Sequence, residues 1–401
     1  MRRELSNAAS FWVSAGVVAH TLWTSSAPAM VYPLYAQEWH LTPTMTTAIF
    51  AIYNIVVVAV LVGFGDLSDF IGRRKTMLLG LFSSAVGVAL FALAPNVATL
   101  FIGRILMGIG VGLSAGPSTA ALVEFSGGAL GRASATTITS QAIGYSSALL
   151  VGGFLVQYAP LPTRLSFIVL FVLLAALIAV AWFLPEKSKD SPRATWRPRL
   201  PKVQKELRTP FIVSSIAVMT AYTHGVIITS LGAQIAKELV KSDNVFVNSF
   251  ALALFAISLG VAGLFAKRLG GKVAVICGSL ASVTGMLFLT GAVLEHSLVF
   301  FIPATAISGV GYALMVYGGL AIVNAVTPEK VRGGVLSALY LMAYLFTGIL
   351  AVVLGKIATE LNMAVATLIA AALMVALSLI VIMMIVRLGR APDASNAGAT
   401  S

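Results

Sequence analysis

Long apolar runs recur along this chain, and they constrain its fold more than any other feature. A helix needs about 20 apolar residues to cross the hydrocarbon core of a bilayer, and each of these runs is about that long. The sequence predicts twelve transmembrane helices, at residues 11–34, 46–65, 76–94, 97–122, 135–157, 165–184, 210–231, 246–266, 273–293, 297–325, 334–358 and 363–386.

Composition indicates the same class of protein. Of the 401 residues, 59% are hydrophobic and only 10% are charged, whereas soluble proteins carry about 25% charged residues. We therefore expect an all-α, multi-pass membrane protein. Met1-Arg2-Arg3-Glu4 before the first run could belong to a signal peptide. That run is long and further spans follow it, so we interpret it as the first helix. Cys277 is the single cysteine, which excludes a disulfide framework.

The positions of lysine and arginine predict the orientation. Most of the 26 basic residues fall on one side of the twelve spans, many of them in the linker 186–209, and basic loops stay in the cytoplasm. We expect an inner (plasma) membrane protein with both termini cytoplasmic. The net charge of +12 is then a topology signal, with anionic-lipid contact as a secondary effect and no role in nucleic-acid binding.

The chain divides into two related halves. We predict a six-helix bundle at 1–185, a cytoplasmic linker at 186–209, a second six-helix bundle at 210–389 and a disordered tail at 390–401. The halves repeat with an offset of about 200 residues, as internal repeats of transporters do. Arg132 precedes the fifth span as Arg332 precedes the eleventh.

The turn 65–75 between the second and third spans carries two acids, two glycines and three adjacent bases. Asp66 and Asp69 fall where the helix dipole disfavours carboxylates, so they need partners, such as the N-terminus of a neighbouring helix. Gly65 shares a helix face with Asp69 and allows that helix to approach. Gly72 permits the turn, and Arg73 begins the basic run. The alternative is a solvated loop that only sets orientation.

Gly65-Asp66-Leu67-Ser68-Asp69-Phe70-Ile71-Gly72-Arg73 resembles the Gly-x-Leu-x-Asp-x-x-Gly-Arg signature of major facilitator superfamily transporters. The resemblance implies two pseudo-symmetric six-helix bundles around a central cavity and alternating access by rocking. It also implies that this loop latches the outward-open state, with Asp69 facing the start of the eleventh helix. In the fifth span, Gly144 to Gly153 is a partial match to the exporter signature, with Ala148-Leu149 where Gly-Pro is expected.

Arg104 lies inside the fourth span, roughly 10 Å from the outer surface. An arginine there is costly and usually faces a cavity or a partner, although it can also snorkel to the interface. The pattern from Arg104 to Gly110 resembles the fourth-helix motif of the same superfamily, which implies a cavity-lining arginine tied to proton coupling.

No acid falls at the midpoint of a predicted span, so proton antiport by a buried carboxylate is in doubt; Glu38 and Glu124 are the candidates near span ends. The intramembrane histidines, His20 and His224, can titrate near physiological pH, or they can simply be hydrogen-bonded to a neighbouring helix. The residues predicted to couple or gate are Arg104, Glu38, Gly65, Asp66, Asp69, Gly72 and Arg73, with the histidines as an alternative and facilitated diffusion left open.

Aromatic, amide and other polar residues inside the spans predict the lining of a cavity for an amphipathic organic substrate. Each of them alone is more typical of a contact between helices. The set is His20, Trp23, Thr24, Tyr53, Asn54, Arg104, Gln141, Tyr145, Tyr222, His224, Tyr312, Tyr317, Tyr340 and Tyr344.

These patterns together predict a secondary transporter and not an enzyme. No nucleotide-binding loop or metal-spaced His/Cys set is present, so no cofactor is expected. We expect a monomeric, proton-coupled exporter of small organic molecules such as drugs, with substrate, protons and membrane lipid as partners. The alternatives are an importer or uniporter of a metabolite or organic acid, and a membrane sensor that transports nothing.

Overall fold

The computed structural model of the protein describes residues 4–65, 67–127, 130–186 and 203–390. Within these ranges the secondary structure is helical, without strands. The helices are α1 Asn7–Ser26, α2 Tyr32–Glu38, α3 Pro43–Phe64, α4 Leu67–Ile71, α5 Arg73–Ala92, α6 Val97–Phe125, α7 Leu130–Tyr158, α8 Leu165–Ala181, α9 Arg208–Val226, α10 Gly232–Gln234, α11 Val245–Ala266, α12 Gly271–Leu294, α13 Leu298–Val326, α14 Glu329–Glu360 and α15 Met363–Arg390. The predicted all-α fold is confirmed.

Two of the predicted spans differ in detail from the helices observed. The first is broken, because α1 ends at Ser26 and α2 restarts at Tyr32, after Pro28, which cannot donate a backbone hydrogen bond. The seventh continues beyond α9 through π-helical turns at Ile227–Leu231 and Ile235–Leu239, on either side of α10. Although π-helical turns are rare in proteins overall, those that occur are frequently found at functional sites.

Side-chain caps fix where several helices begin. Ser6, Thr42, Asn96 and Asn244 each accept a hydrogen bond from a backbone N–H in the first turn of the helix that follows. Such caps satisfy donors that have no partner inside the helix. The sequence therefore marks the starts of α1, α3, α6 and α11 locally, before any tertiary contact forms.

Nine of the described helices are long and apolar enough to cross a membrane, and α8 is a shorter apolar helix. The other two long helices, α1 and α9, begin the two halves of the chain, and each buries many polar side chains in the protein interior. Polar residues that face protein rather than lipid are tolerated in a membrane. The two first helices therefore carry the polar interior of the halves.

Glycines allow equivalent helix pairs to pack closely in the two halves. A Cβ added to Gly110 of α6 would lie 2.5 Å from the carbonyl oxygen of Gly80 in α5. In the second half, a Cβ added to Gly311 of α13 would lie 3.1 Å from the carbonyl oxygen of Gly278 in α12. Small residues at such crossings bring the two backbones together, and their recurrence shows that the halves are related.

The two halves contact each other through α3 with α14 and α7 with α11. The first and last described residues, 4 and 390, lie on one side of the molecule, called here the terminal side. On the opposite side, Thr44 Oγ1 lies 2.8 Å from Thr359 Oγ1, and the Val245 N–H donates to Gln157 Oε1 at 2.8 Å. These direct contacts close the molecule on the side opposite its termini.

Candidate functional site

Arg104 is completely buried in α6, and most of its donors have no partner. Its Nη1 donates to the carbonyl oxygen of Ser25 at 3.0 Å, while Nε and Nη2 have no hydrogen-bond partner among the described residues. The guanidinium carbon lies 4.3 Å from the centre of the Tyr53 ring and 5.7 Å from that of Phe50. Aromatic faces stabilise a cation without neutralising it. This site therefore presents positive charge and free N–H donors to an acceptor.

Glu38, another of the predicted coupling residues, forms no ion pair with Arg104 in the structure. Glu38 is exposed at the end of α2, and Arg104 has no carboxylate partner among the residues that the structure describes. Leaving an arginine buried without a counter-ion is expensive. The position is consequently unfavourable for stability, as functional positions often are.

Four tyrosines of α9, α13 and α14 form a cluster around Tyr222. Its ring centre lies 5.8 Å from that of Tyr312, nearly parallel to it, 5.1 Å from that of Tyr344 and 6.5 Å from that of Tyr340. The Tyr222 side chain is also in polar contact with Tyr344 and Tyr312. Each ring keeps part of its surface accessible, as residues beside a space between helices do.

This tyrosine cluster connects to the first half at both ends. Tyr312 meets Phe255 of α11 at 5.7 Å between ring centres, and Phe255 meets Tyr145 of α7 at 5.7 Å. At the other end, Tyr344 packs against the hydrophobic cluster that contains Tyr53, the residue stacked on Arg104. We call this continuous set the aromatic line: Arg104, Tyr53, Tyr344, Tyr222, Tyr340, Tyr312, Phe255 and Tyr145.

The two intramembrane histidines occupy equivalent places inside their own halves. His20 of α1 has Nδ1 2.5 Å from the carbonyl oxygen of Val17 and Nε2 3.4 Å from Ser84 Oγ of α5. Since a carbonyl only accepts, Nδ1 carries the proton and Nε2 accepts from the serine. In the second half, His224 Nε2 lies 2.9 Å from Ser282 Oγ of α12. Both rings bond to a neighbouring helix; their role in binding or coupling stays a prediction.

The motif between α3 and α5 is fastened to the first half by its basic residues. Arg73 forms an ion pair with Glu124 at the end of α6, and Arg74 Nη2 lies 2.9 Å from Glu186 Oε2. Gly72 adopts φ +95°, and a Cβ there would lie 2.0 Å from Glu186 Oε1. Glycine is therefore required both by the backbone and by the ion pair beside it.

The predicted latch involves residues that cannot all be placed. Asp66 lies outside the described residues. Asp69 belongs to α4, but its side chain and those of Glu329–Gly334 at the start of α14 are also outside the described set. Contact between Asp69 and the eleventh span stays a prediction.

The remaining predicted residues make none of the ring contacts that define the aromatic line. Thr24 is fully buried with an unpartnered hydroxyl, and Asn54 is buried on α3 near Gly348 of α14. Trp23, Gln141 and Tyr317 are half-buried, and Gly65 is exposed. Sequence reasoning missed Phe50, Phe255, Ser25, Ser84, Ser282 and Glu186, because nothing in their residue type distinguishes them from ordinary helix-packing or linker residues.

The described residues contain twelve long helices in two related halves, and a charged and aromatic set lies where the halves meet. This arrangement is that of a multi-pass membrane protein. Residues 12–236, more than half of the chain, match the family model described as Major Facilitator Superfamily. The chain belongs to this superfamily.

Sequence relatives include proteins with different named activities. Multidrug efflux pump LfrA of Mycolicibacterium smegmatis is 33% identical over 117 residues, which is 28% of this chain and 23% of the pump. Probable polyol transporter 4 of Arabidopsis thaliana is 36% identical over 77 residues, which is 19% of this chain and 15% of that protein. The matched segments therefore cover less than a quarter of either relative.

The structural likeness extends over nearly the whole chain. The crystal structure of a point mutant of nucleoside transporter NupG superposes with a TM-score of 0.74, covering 94% of this chain and 99% of that one at 15% sequence identity. At this identity the likeness shows the fold alone. It confirms the predicted fold class of twelve helices in two six-helix bundles.

Proposed function

We propose that this protein exports small amphipathic organic molecules across the inner membrane by alternating access, coupled to protons. The observation that carries the proposal is the aromatic line, which takes Arg104, Tyr53 and Tyr145 from the first half and Tyr222, Tyr312 and Tyr344 from the second. A site assembled from both halves changes shape when one half rocks against the other. This is the requirement for alternating access.

The chemistry of the aromatic line favours an amphipathic substrate. Tyrosine rings offer apolar faces for stacking and hydroxyls for a few hydrogen bonds. The unpartnered N–H groups on Nε and Nη2 of Arg104 suit an acceptor-rich or anionic group on the same molecule. The wider predicted cavity set extends this site along the neighbouring helices.

The direction of transport and its coupling rest on separate observations. The relative LfrA and the partial exporter signature at 144–153 support export. For proton coupling, the candidates are His20, His224 and the acidic turn with Asp66 and Asp69, because Arg104 has no carboxylate partner in the described structure.

The orientation proposed here places the terminal side in the cytoplasm. Its support is the concentration of lysine and arginine at that end of the helices. With this orientation, the contacts Thr44–Thr359 and Gln157–Val245 close the external side, so the molecule faces the cytoplasm.

A second candidate function is uptake or facilitated diffusion of a metabolite. The match to a polyol transporter favours it, and Arg104 would suit an organic acid. A membrane sensor with this fold is the remaining alternative.

Transport by the full chain in inside-out membrane vesicles tests these functions, with amphipathic fluorescent dyes and labelled sugars, polyols and organic acids as probes. We expect an acid-interior pH gradient to drive dye accumulation. Tyr222→Leu should weaken dye transport about tenfold, because several ring contacts are lost. Phe171→Leu on the exposed face of α8 removes an aromatic ring outside the aromatic line and should transport normally.

Each other result has a defined meaning. Dye flux that ignores the gradient would overturn proton coupling. Movement of a sugar, polyol or acid down its gradient, without dye accumulation, would replace the exporter by the importer. If folded protein moved none of the probes, the transporter proposal would be rejected in favour of the sensor.

A further inference from the structure

A groove on the second half opens at the terminal side between α9, α12, α13 and α15. Its volume is about 800 Å³, and all of the described residues that line it belong to the second half. One of its lining residues, Val326, is an exposed apolar side chain with 49% accessibility. A space of this size is within the range of pockets that hold small molecules. It lies apart from the aromatic line.

The groove has a charged end and an apolar interior. Lys272, in the first turn of α12, and Arg387, near the end of α15, both line it and are exposed. Val213 and Ile322 are buried in its wall, and Met384 contributes further apolar surface. From Thr209 at the start of α9 to Val213 is four residues, a depth of about 6 Å. Polarity therefore falls as the groove enters the membrane.

Among the residues that the structure describes, the two cations are not neutralised. No described acid lines the groove, and neither Lys272 nor Arg387 forms an ion pair with a described residue. Lys272 also lies at a helix start, where the dipole disfavours positive charge. An anion bound beside Lys272 would neutralise the unpaired cations and would also interact favourably with the helix dipole.

We propose that this groove binds an anionic diacyl phospholipid from the leaflet on the terminal side. Its phosphate would lie at Lys272 and Arg387, with an acyl chain along Val213, Ile322 and Met384. Charge complementarity selects this occupant over a neutral lipid, which would leave two cations unpaired at headgroup depth. The apolar wall favours the phospholipid over free phosphate, because free phosphate has no acyl chain to contact that wall. The inference does not depend on what the protein transports.

Native mass spectrometry of the purified full chain tests the site. The probes are dioleoyl phosphatidylglycerol, dioleoyl phosphatidylcholine and inorganic phosphate. We expect tight retention of phosphatidylglycerol and a higher unfolding temperature with it, and neither effect with the other two. Each basic side chain near an anionic lipid raises the binding affinity about fivefold. The double substitution Lys272→Gln with Arg387→Gln should therefore weaken phosphatidylglycerol binding about 30-fold.

The matched control is Lys267→Gln with Arg268→Gln, which removes the same charge from the loop before α12 without touching the groove lining. It should retain phosphatidylglycerol. A second variant, Ala325→Trp, fills the groove with both charges present and should also lose the lipid. Equal loss in the control would mean general surface attraction and overturn the proposal. So would equal binding of phosphatidylcholine, displacement by phosphate, undiminished binding by Ala325→Trp, or no retained lipid.

Discussion

At the scale of single residues, Arg104 combines full burial with incomplete bonding. It has one carbonyl partner and two aromatic faces, while Nε and Nη2 have no hydrogen-bond partner in the described part of the chain. Buried cations are normally paired, because desolvation is not otherwise offset. Under the proposed function, a side chain held in this state at a cost to stability serves to bind the transported molecule.

Arg104→Met should therefore separate function from stability. Removing the unpaired charge should leave the free energy of unfolding unchanged or raise it by about 1–3 kcal/mol, while transport is lost. Thermal unfolding in detergent and vesicle transport measure the two effects.

Arg164→Met is the control for this change, because Arg164 is exposed between α7 and α8. It should affect neither quantity. Normal transport by Arg104→Met would remove this residue from the mechanism, and a destabilised variant would indicate a structural role instead.

At the scale of elements, the turn before α5 is positioned by ion pairs to α6 and to the segment after α8. Arg73 and Arg74 make these pairs, and Gly72 provides the left-handed backbone between the helices. Because Glu186 occupies the space beside Gly72, backbone conformation and ion pair depend on each other. The turn thus belongs to the packed structure of the first half.

Gly72→Ala should destabilise the protein by about 1–3 kcal/mol, since it combines an unfavourable φ with displacement of Glu186. Gly63→Ala near the end of α3 is the matched control: a Cβ there meets no atom within 4 Å, and alanine favours a helix. Unfolding temperatures of both variants provide the measurement. If the Gly72→Ala protein were as stable as the control, the left-handed backbone at position 72 would not require glycine.

The elements also show how far sequence reasoning reaches. The apolar runs predicted all twelve long helices, because the length of a span is set locally by bilayer thickness. The π-helical turns after α9 and the break between α1 and α2 were missed, because they depend on irregular backbone within one apolar run. The His20–Ser84 and His224–Ser282 bonds need the rotation of neighbouring helices, which no local pattern contains.

At the scale of the whole molecule, the two halves meet directly on the side opposite the termini. Thr44–Thr359 and Gln157–Val245 form the polar part of that closure, and Phe154 packs against Phe246 beside it, with ring centres 5.8 Å apart. Alternating access requires these contacts to break in the other state. The closure is therefore the part of the molecule where restraint should stop transport.

A disulfide between Thr44→Cys and Thr359→Cys should hold this side closed. The side-chain oxygens are 2.8 Å apart, close enough for sulfur atoms to bond after small adjustments. In a Cys277→Ser background, which removes the native thiol, oxidation should abolish vesicle transport and reduction should restore it. Each single-cysteine variant should be insensitive to oxidant. Full transport by the cross-linked protein would show that the contacts on this side need not break during transport.

The amino-acid sequence by itself determined the class, the helices and the superfamily, because these follow from apolar length and from a short turn motif read along one chain. The tertiary structure decided which polar groups meet: Arg104 with Ser25 and Tyr53 but no carboxylate among the described residues, and Tyr222 with tyrosines far away in the chain. Those contacts depend on how packed helices are rotated and how closely glycines let them approach, and only the folded molecule sets both.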